Sequence, residues 1–218
     1  MSDTPTIAVI GGTGQEGGGL AARFSHAGYQ VVIGSRDGAK AQAAADALNA
    51  KIGSANASGA DNEAAATAGD IVVLAVPFAG QQSTALALRD QLAGKIVIDA
   101  TVPLAPPKVS KVQLPEGGSA VAALQAQLPD ARFVSAFQNV SHAHLNDIGH
   151  PVDCDVLVCG DDADACDTVV SLIEAIGMRG FHAGGIANSA AAEALTSLLI
   201  FINRKYKSPG AGIRLTAV

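Results

Sequence analysis

The sequence predicts an α/β fold: a doubly wound, largely parallel sheet extended by extra strands, with a small helical C-terminal part packed on it. Three observations predict it. Short β-branched runs alternate with alanine-rich helical segments along the whole chain, the pattern of strands joined by crossover helices. One run, Asp70-Ile71-Val72-Val73-Leu74-Ala75-Val76-Pro77, is almost continuously apolar, as suits a parallel strand covered on both faces. The first run, Thr6 to Ile10, goes straight into glycines and then into a helical segment around Leu20-Ala21-Ala22-Arg23-Phe24.

That glycine stretch carries the strongest functional signal. Gly12, Gly14 and Gly17 fit G-x-G-x-x-G. In a Rossmann-type unit the first glycine permits the tight turn out of the strand. The second lets a pyrophosphate approach the backbone, and the third lets helix and strand pack closely. The helix that follows points its free N–H groups and positive dipole end at the phosphate. A glycine-rich turn alone is common, but here the strand precedes it and the helix follows, the context the motif requires. Gly12, Thr13, Gly14, Gln15 and Gly17 are therefore candidate dinucleotide-binding residues.

The remaining elements follow in order. The first helix runs to about Ala27, stopped by Gly28. Tyr29 to Gly34 is a second strand, and an alanine-rich helix of strong helix formers runs from Lys40 to Leu48. A short strand is expected around Lys51 to Ala55 and a brief helix from Asn62 to Ala68. After the apolar strand ending at Pro77 come a helix from Ser83 to Gln91 and a strand from Lys95 to Thr101. Val102 to Gly118, rich in proline and polar residues, reads as a loop beyond a strand's carboxyl end, where open α/β sheets bind ligands. A helix from Ser119 to Leu128 and a strand from Arg132 to Phe137 lead to Gln138-Asn139-Val140-Ser141-His142. Asp155 to Gly160 is a further strand, followed by a helix from Ala163 to Ile176 and a short strand near Arg179 to Ala183. The last helix, Asn188 to Tyr206, has Ala190, Ala194, Leu195, Leu198, Leu199 and Ile202 at helical spacing, expected to face the core. Asn188 and Ser189 are expected to cap it. Residues 1–150 read as the dinucleotide-binding domain and 151–218 as an extension closing the second half of the site.

Composition narrows the function classes. The chain has 218 residues, 49% of them hydrophobic and only 4% aromatic, so the core is built on small side chains. Net charge is −6, with pI about 5.2 and mean hydropathy +0.30, which disfavours nucleic-acid or anionic-membrane partners. The longest strongly apolar stretch, near Leu198 to Ile202, reads as too short to span a bilayer. With no basic leader at the N-terminus, a cytoplasmic location is expected. Cys154, Cys159 and Cys166 lack C-x-x-C spacing, and His142 and His144 lack the i, i+4 spacing of a helical metal pair. No metal site is expected.

An NAD-preferring site usually ends its second strand in a carboxylate that holds the ribose hydroxyls. This chain has Gly34-Ser35-Arg36 there. Arg36 can make a planar, charge-assisted contact with a 2′-phosphate, Ser35 can add a hydroxyl, and Lys40 lies one turn into the next helix. Singly, Arg36 and Lys40 would read as solvated surface charges; together at that place they favour NADP(H). Asp37, one residue beyond the arginine, argues the other way.

Val76, Pro77, Phe78 and Val102, at the carboxyl ends of two central strands, would border the nicotinamide. Gln138, Asn139, Val140 and His142 are candidates for the acceptor side, although His142 reads equally well as an exposed loop residue. No compelling Lys/Asn or Ser/Tyr/Lys set is present in the sequence, so no acid–base residue is assigned as catalytic.

Several segments resemble the NADPH-dependent coenzyme F420 reductases. They are Gly11-Gly12-Thr13-Gly14, Gly34-Ser35-Arg36 with Lys40, Val76-Pro77-Phe78, Asp155 to Asp162, the Asn188-to-Thr196 segment and Gly212-Ile213-Arg214-Leu215. The resemblance implies hydride transfer between NADP(H) and a 5-deazaflavin (coenzyme F420). It implies homodimers, and a 2′-phosphate held by Thr13, Ser35, Arg36 and Lys40. It also marks a departure: archaeal members carry a histidine where this chain has Gln138. The alternatives are an NADPH-dependent flavin, quinone or imine reductase, and a non-enzymatic NADP sensor.

Overall fold

The computed structural model describes residues 4–218. One sheet of eight strands, in the order β3-β2-β1-β4-β5-β6-β7-β8, runs through the molecule. Its strands are β1 (Ile7–Ile10), β2 (Val31–Ser35), β3 (Ala57–Asp61), β4 (Ile71–Leu74), β5 (Ile96–Asp99), β6 (Arg132–Ser135), β7 (Asp155–Gly160) and β8 (Arg179–His182). The first six pair in parallel; β7 is antiparallel to β6, and β8 is parallel to β7. The connection between β6 and β7, residues 136–154, holds only the five-residue helix α7 (His142–Asn146), which packs on α1 and does not form a crossover helix on the sheet.

Alternate residues of each central strand face opposite sides. Ile7, Val9, Ile71, Val73, Ile96 and Ile98 join one apolar core with α1 (Gln15–His26), α2 (Gly38–Ile52) and α8 (Ala163–Ala175). Ala8, Ile10, Val72, Leu74 and Val97 join a second core with α3 (Asn62–Ala68), α4 (Phe78–Ala87), α5 (Arg89–Leu92) and α6 (Ala120–Gln125). This is why those strands read as unbroken apolar runs.

Several expectations are corrected. The strand expected at 51–55 lies at Ala57–Asp61, because α2 continues to Ile52 and ends on Gly53 in the left-handed region (φ 69°). Little in Ala57-Ser58-Gly59-Ala60-Asp61 favours a strand; the open edge of β2 recruits it. Gly59 is required there, since a Cβ would lie 2.2 Å from the Ala41 carbonyl carbon of α2. The helix expected at 83–91 starts at Phe78, directly after Pro77, and breaks at Leu88 into α5.

The last helix, α9 (Ser189–Tyr206), buries Ala192, Glu193, Ser197 and Leu199. Leu198 and Phe201, 47% and 53% exposed, face outward with Ile202 and Tyr206. The stripe expected in the core is thus divided: Leu199 is buried, Ala190, Ala194 and Leu195 are half-buried, and Leu198 and Ile202 are exposed. The segment Ile186–Tyr206 is by length and composition apolar enough to cross a bilayer, at a mean hydropathy of 1.3, longer than the sequence reading allowed. In the fold its buried face is polar: Glu193 accepts hydrogen bonds from the Ser119 hydroxyl and the Ala120 and Val121 amides. Neither Asn188 nor Ser189 caps the helix. The Asn188 amide donates back to the Ala183 carbonyl, and the Ser189 hydroxyl to the Ile186 carbonyl.

Candidate active site

The glycine turn leaves β1 at the point where strand order reverses between β1 and β4, the place where doubly wound sheets bind ligands. The tight turn falls at Gly11 rather than Gly12: Gly11 has φ +83°, and a Cβ there would lie 2.5 Å from the Ala75 carbonyl oxygen. Gly17 packs α1 onto the turn, with a Cβ reaching within 2.5 Å of the Gly11 carbonyl oxygen. Gly14 is different. It is exposed, and a Cβ there would meet only the Gly11 carbonyl oxygen at 3.3 Å. The interior hardly demands a glycine at that position, and the missing side chain leaves the backbone open to an approaching group.

The N-terminus of α1 is also open. Its N-cap is Gly14, so no side chain accepts from the first-turn amides. By contrast α2, α3, α6 and α8 are capped by Asp37, Asp61, Ser119 and Asp162. An uncapped helix end at a switch point fits a phosphate group.

At the end of β2, Ser35 is half-buried, and Arg36 and Lys40 are exposed. The structure gives neither cation an ion pair among the described residues. Asp37, which argued for a ribose carboxylate, is engaged instead: its side chain accepts from the Lys40 backbone N–H at 3.1 Å and starts α2. Gly12 and Thr13 border a hollow of about 290 Å³ between α1 and α2.

A larger cavity of about 660 Å³ opens along the carboxyl edge of the sheet. It brings together Gly14 and Gln15 of the glycine turn, Val76, Pro77 and Phe78 after β4, and Val102 after β5. It also takes in Gln138, Asn139, Val140 and His142 after β6. Ser35, Arg36 and Lys40 lie outside it. Its remaining wall includes residues with no clear signal in the sequence: Thr196, Leu199 and Asn203 of α9, and Ser208, Pro209 and Ala211 of the C-terminal tail.

The loop after β6 is fixed from beneath. Asp99, fully buried at the end of β5, accepts from the Thr101 amide at 2.8 Å and from the Gln81 side chain. Burial pushes its carboxyl pKa up. The Asp99 backbone carbonyl accepts from the Gln138 side-chain amide at 2.7 Å, which leaves Gln138 Oε1 buried and without a partner. Phe137, a non-glycine residue at φ 75°, turns the chain sharply at this point, the kind of backbone outlier that clusters at functional sites. The Asn139 side chain donates to the Ala192 carbonyl and to the Thr196 hydroxyl, so it ties the loop to α9. His142 begins α7, where an extended loop was expected, and its side chain is exposed at the rim.

The family model described as "NADP oxidoreductase coenzyme F420-dependent" matches residues 6–103. The F420-dependent NADP reductase of Methanocaldococcus jannaschii is 43% identical, over 96% of this chain and 97% of that protein. The chain belongs to the F420-dependent NADP reductase family. The reductase of Methanothermobacter thermautotrophicus is 42% identical over 96% of this chain and 94% of its own length. Among solved structures, an F420-dependent NADP-reductase candidate from Arthrobacter sp. FB24 superposes with a TM-score of 0.82 at 25% identity. That match covers 97% of this chain and 99% of the other.

In this reductase fold Arg36, just after β2, and Lys40, in the first turn of α2, have no ion-pair partner among the described residues, an open helix end stands at the glycine turn, and one cavity joins that turn to the Gln138 loop. All are compatible with a dinucleotide lying along the carboxyl edge. Glu16, which sequence reading passed over between Gln15 and Gly17, also lines the cavity.

Proposed function

We propose that this chain transfers a hydride between NADP(H) and a 5-deazaflavin of the coenzyme F420 type. The observation that carries the reading is the single cavity linking Gly14, Gln15, Val76, Pro77 and Phe78 with Gln138, Asn139, Val140 and His142. In this reading the pyrophosphate rests on the amides of Gly12, Thr13, Gly14, Gln15 and Gly17, and the 2′-phosphate on Thr13, Ser35, Arg36 and Lys40. Val76, Pro77, Phe78 and Val102 border the nicotinamide. The acceptor ring stacks on it beside the Gln138 loop, whose unpartnered Oε1 offers a hydrogen-bond acceptor. The chain's contribution is to hold the two rings in register and keep water out.

Stopped-flow mixing with NADPH and either coenzyme F420 or FMN tests this reading. Bleaching of the deazaflavin absorbance at catalytic rates, with FMN reduced far more slowly, is the expected result. Preferential reduction of FMN would move the chain to the flavin reductases. Tight NADPH binding with neither acceptor reduced would make it a dinucleotide sensor.

The oligomer belongs to the same proposal. The outward face of α9, with Leu198, Phe201, Ile202 and Tyr206, is covered by a second copy of the chain, consistent with the dimers that the family resemblance implies. The opposite face of α9 supplies Thr196, Leu199 and Asn203 to the cavity, so dimerisation stiffens a wall of the site. Phe201→Glu is expected to convert a dimer to a monomer in light scattering and to weaken acceptor binding. A wild-type chain that elutes as a monomer at micromolar concentration would contradict it. Three buried free cysteines, Cys154, Cys159 and Cys166, are in keeping with a reducing cytoplasm.

A further inference from the structure

Glu16 has no role in the reading above. It is the second residue of α1 and the last before Gly17 in the glycine motif. Its side chain lines the same cavity as Gln138, Ser141 and His142. The residue is only partly buried, yet Oε1 is shut off from solvent and has no hydrogen-bond partner among the described residues. The open amides and dipole of α1 favour negative charge here. The proposed cofactor places its pyrophosphate on those same amides. A carboxylate beside that pyrophosphate in a site removed from water is disfavoured, both by burial and by like charge.

The surrounding charges reinforce this. Among the described residues lining the cavity, His142 of α7 is the one other titratable side chain; the loops after β4, β5 and β6, the α9 wall and the tail contribute neutral groups. Arg23, two turns along α1, is engaged by the carbonyls of His144, Leu145, Asp147 and His150. Asp99 is buried beneath Gln138 and is itself shifted toward the neutral acid. Burial pushes the Glu16 pKa from 4.5 up to about 8. His142 is exposed at the rim, whereas Glu16 Oε1 is shielded from solvent.

We propose that Glu16 holds the proton of the hydride-transfer cavity, staying a neutral acid while NADPH lies on α1 and becoming a carboxylate once the nicotinamide is oxidised. The inference rests on the cofactor placement proposed above. The balance is complete. A nicotinamide C–H bond breaks and its hydrogen leaves with both electrons to form a C–H bond on the acceptor ring, so the nicotinamide is oxidised to a cation and the acceptor reduced. The acceptor then needs one proton at a ring nitrogen, and the Glu16 O–H bond breaks to supply it. The carboxylate left behind faces a cationic ring in place of a neutral one. In the opposite direction Glu16 collects the proton.

Equilibrium binding of NADPH and of NADP+ to the full chain between pH 7 and 9.5 tests the inference without turnover, in the wild type, Glu16→Gln and His142→Gln. Calorimetry in two buffers of different ionisation enthalpy counts the protons taken up. In the wild type, NADPH affinity is expected to fall toward about tenfold per pH unit above pH 8, as one ionisation removes the binding form. NADP+ carries the same pyrophosphate but a cationic ring, so its affinity should fall less steeply with pH than that of NADPH, and NADPH binding near pH 8 should take up a fraction of a proton. Glu16→Gln should abolish both the slope and the uptake; His142→Gln should keep them. A pH-independent NADPH/NADP+ affinity ratio in the wild type would overturn the proposal, as would a slope that survives Glu16→Gln. If Arg36→Ala leaves NADPH binding untouched, the cofactor placement itself fails. If it weakens NADPH binding while the wild-type ratio stays flat, Glu16 alone is wrong.

Discussion

Replacing Arg36 and Lys40 together with alanine is expected to weaken NADPH binding by about 100-fold while leaving NADH within about threefold of its starting affinity. Each charge-assisted contact to a phosphate contributes about 1.5–3 kcal/mol, and the low end applies because both side chains are exposed. Two such contacts give about 3 kcal/mol, or a factor of about 100. NADH lacks the 2′-phosphate and loses little. Asp37 is held at the start of α2, where one of its carboxylate oxygens accepts from the Lys40 amide. Fluorescence titration of both cofactors decides the matter: equal losses would mean that the 2′-phosphate lies elsewhere.

The second large effect is expected at Asp155→Asn. Asp155 starts β7 with a fully buried side chain that receives a two-pronged contact from Arg179, at 2.8 and 2.6 Å. It also accepts from the Leu215 amide at 2.6 Å, and its own amide donates to the Ile213 carbonyl. These bonds strap the C-terminal tail against β7, and the tail supplies Ser208, Pro209 and Ala211 to the cavity. Hydrogen bonds to a charged group contribute about 1.5–3 kcal/mol each. Because both arginine partners, Arg179 and Arg214, are about half exposed, the expected loss is discounted to about 2–3 kcal/mol in urea unfolding at pH 7. The acceptor KM should rise while NADPH affinity holds.

The pH dependence has a definite sign. The hydrogen bonds from Arg179 hold the Asp155 pKa at about 2, below its ordinary 3.8. The stabilisation is therefore complete above pH 3.8 and is lost as pH falls through about 2. The stability gap between wild type and Asp155→Asn should be constant from pH 5 upward and narrow between pH 4 and 2. An unchanged unfolding midpoint at pH 7 would show that the strap contributes nothing.

Much of this was legible in the chain. The apolar runs of β1, β4 and β5 are buried on both faces, so their composition alone identifies them. Where strand identity came from a neighbour, composition gave no warning: Ala57-Ser58-Gly59-Ala60-Asp61 becomes β3 because β2 has an open edge and Gly59 lets α2 approach. The α9 stripe misled for a related reason. Helical periodicity reveals that one face is apolar, but not how much of it the sheet covers: Leu199 is buried while Leu198 and Ile202 stay exposed. Glu16 was passed over because its meaning depends on shielding, which neighbours in sequence do not set.

The two halves of the site differ in how far apart their determinants lie. The glycine turn, the open end of α1 and the Ser35–Lys40 cations are set within a few residues by backbone sterics and capping, so they can be read from adjacent letters. The acceptor half is assembled by returns of the chain. Gln138 is anchored to the Asp99 carbonyl across 39 positions, and the Gln138 carbonyl to the Thr196 hydroxyl across 58. The tail is clamped to Asp155 across 60. Contacts at such separations leave no periodic trace, because each depends on which buried polar groups the completed sheet has left without partners. The dinucleotide was therefore visible in the sequence, whereas the cavity wall, its helix and the shielded Glu16 carboxyl came only with the fold.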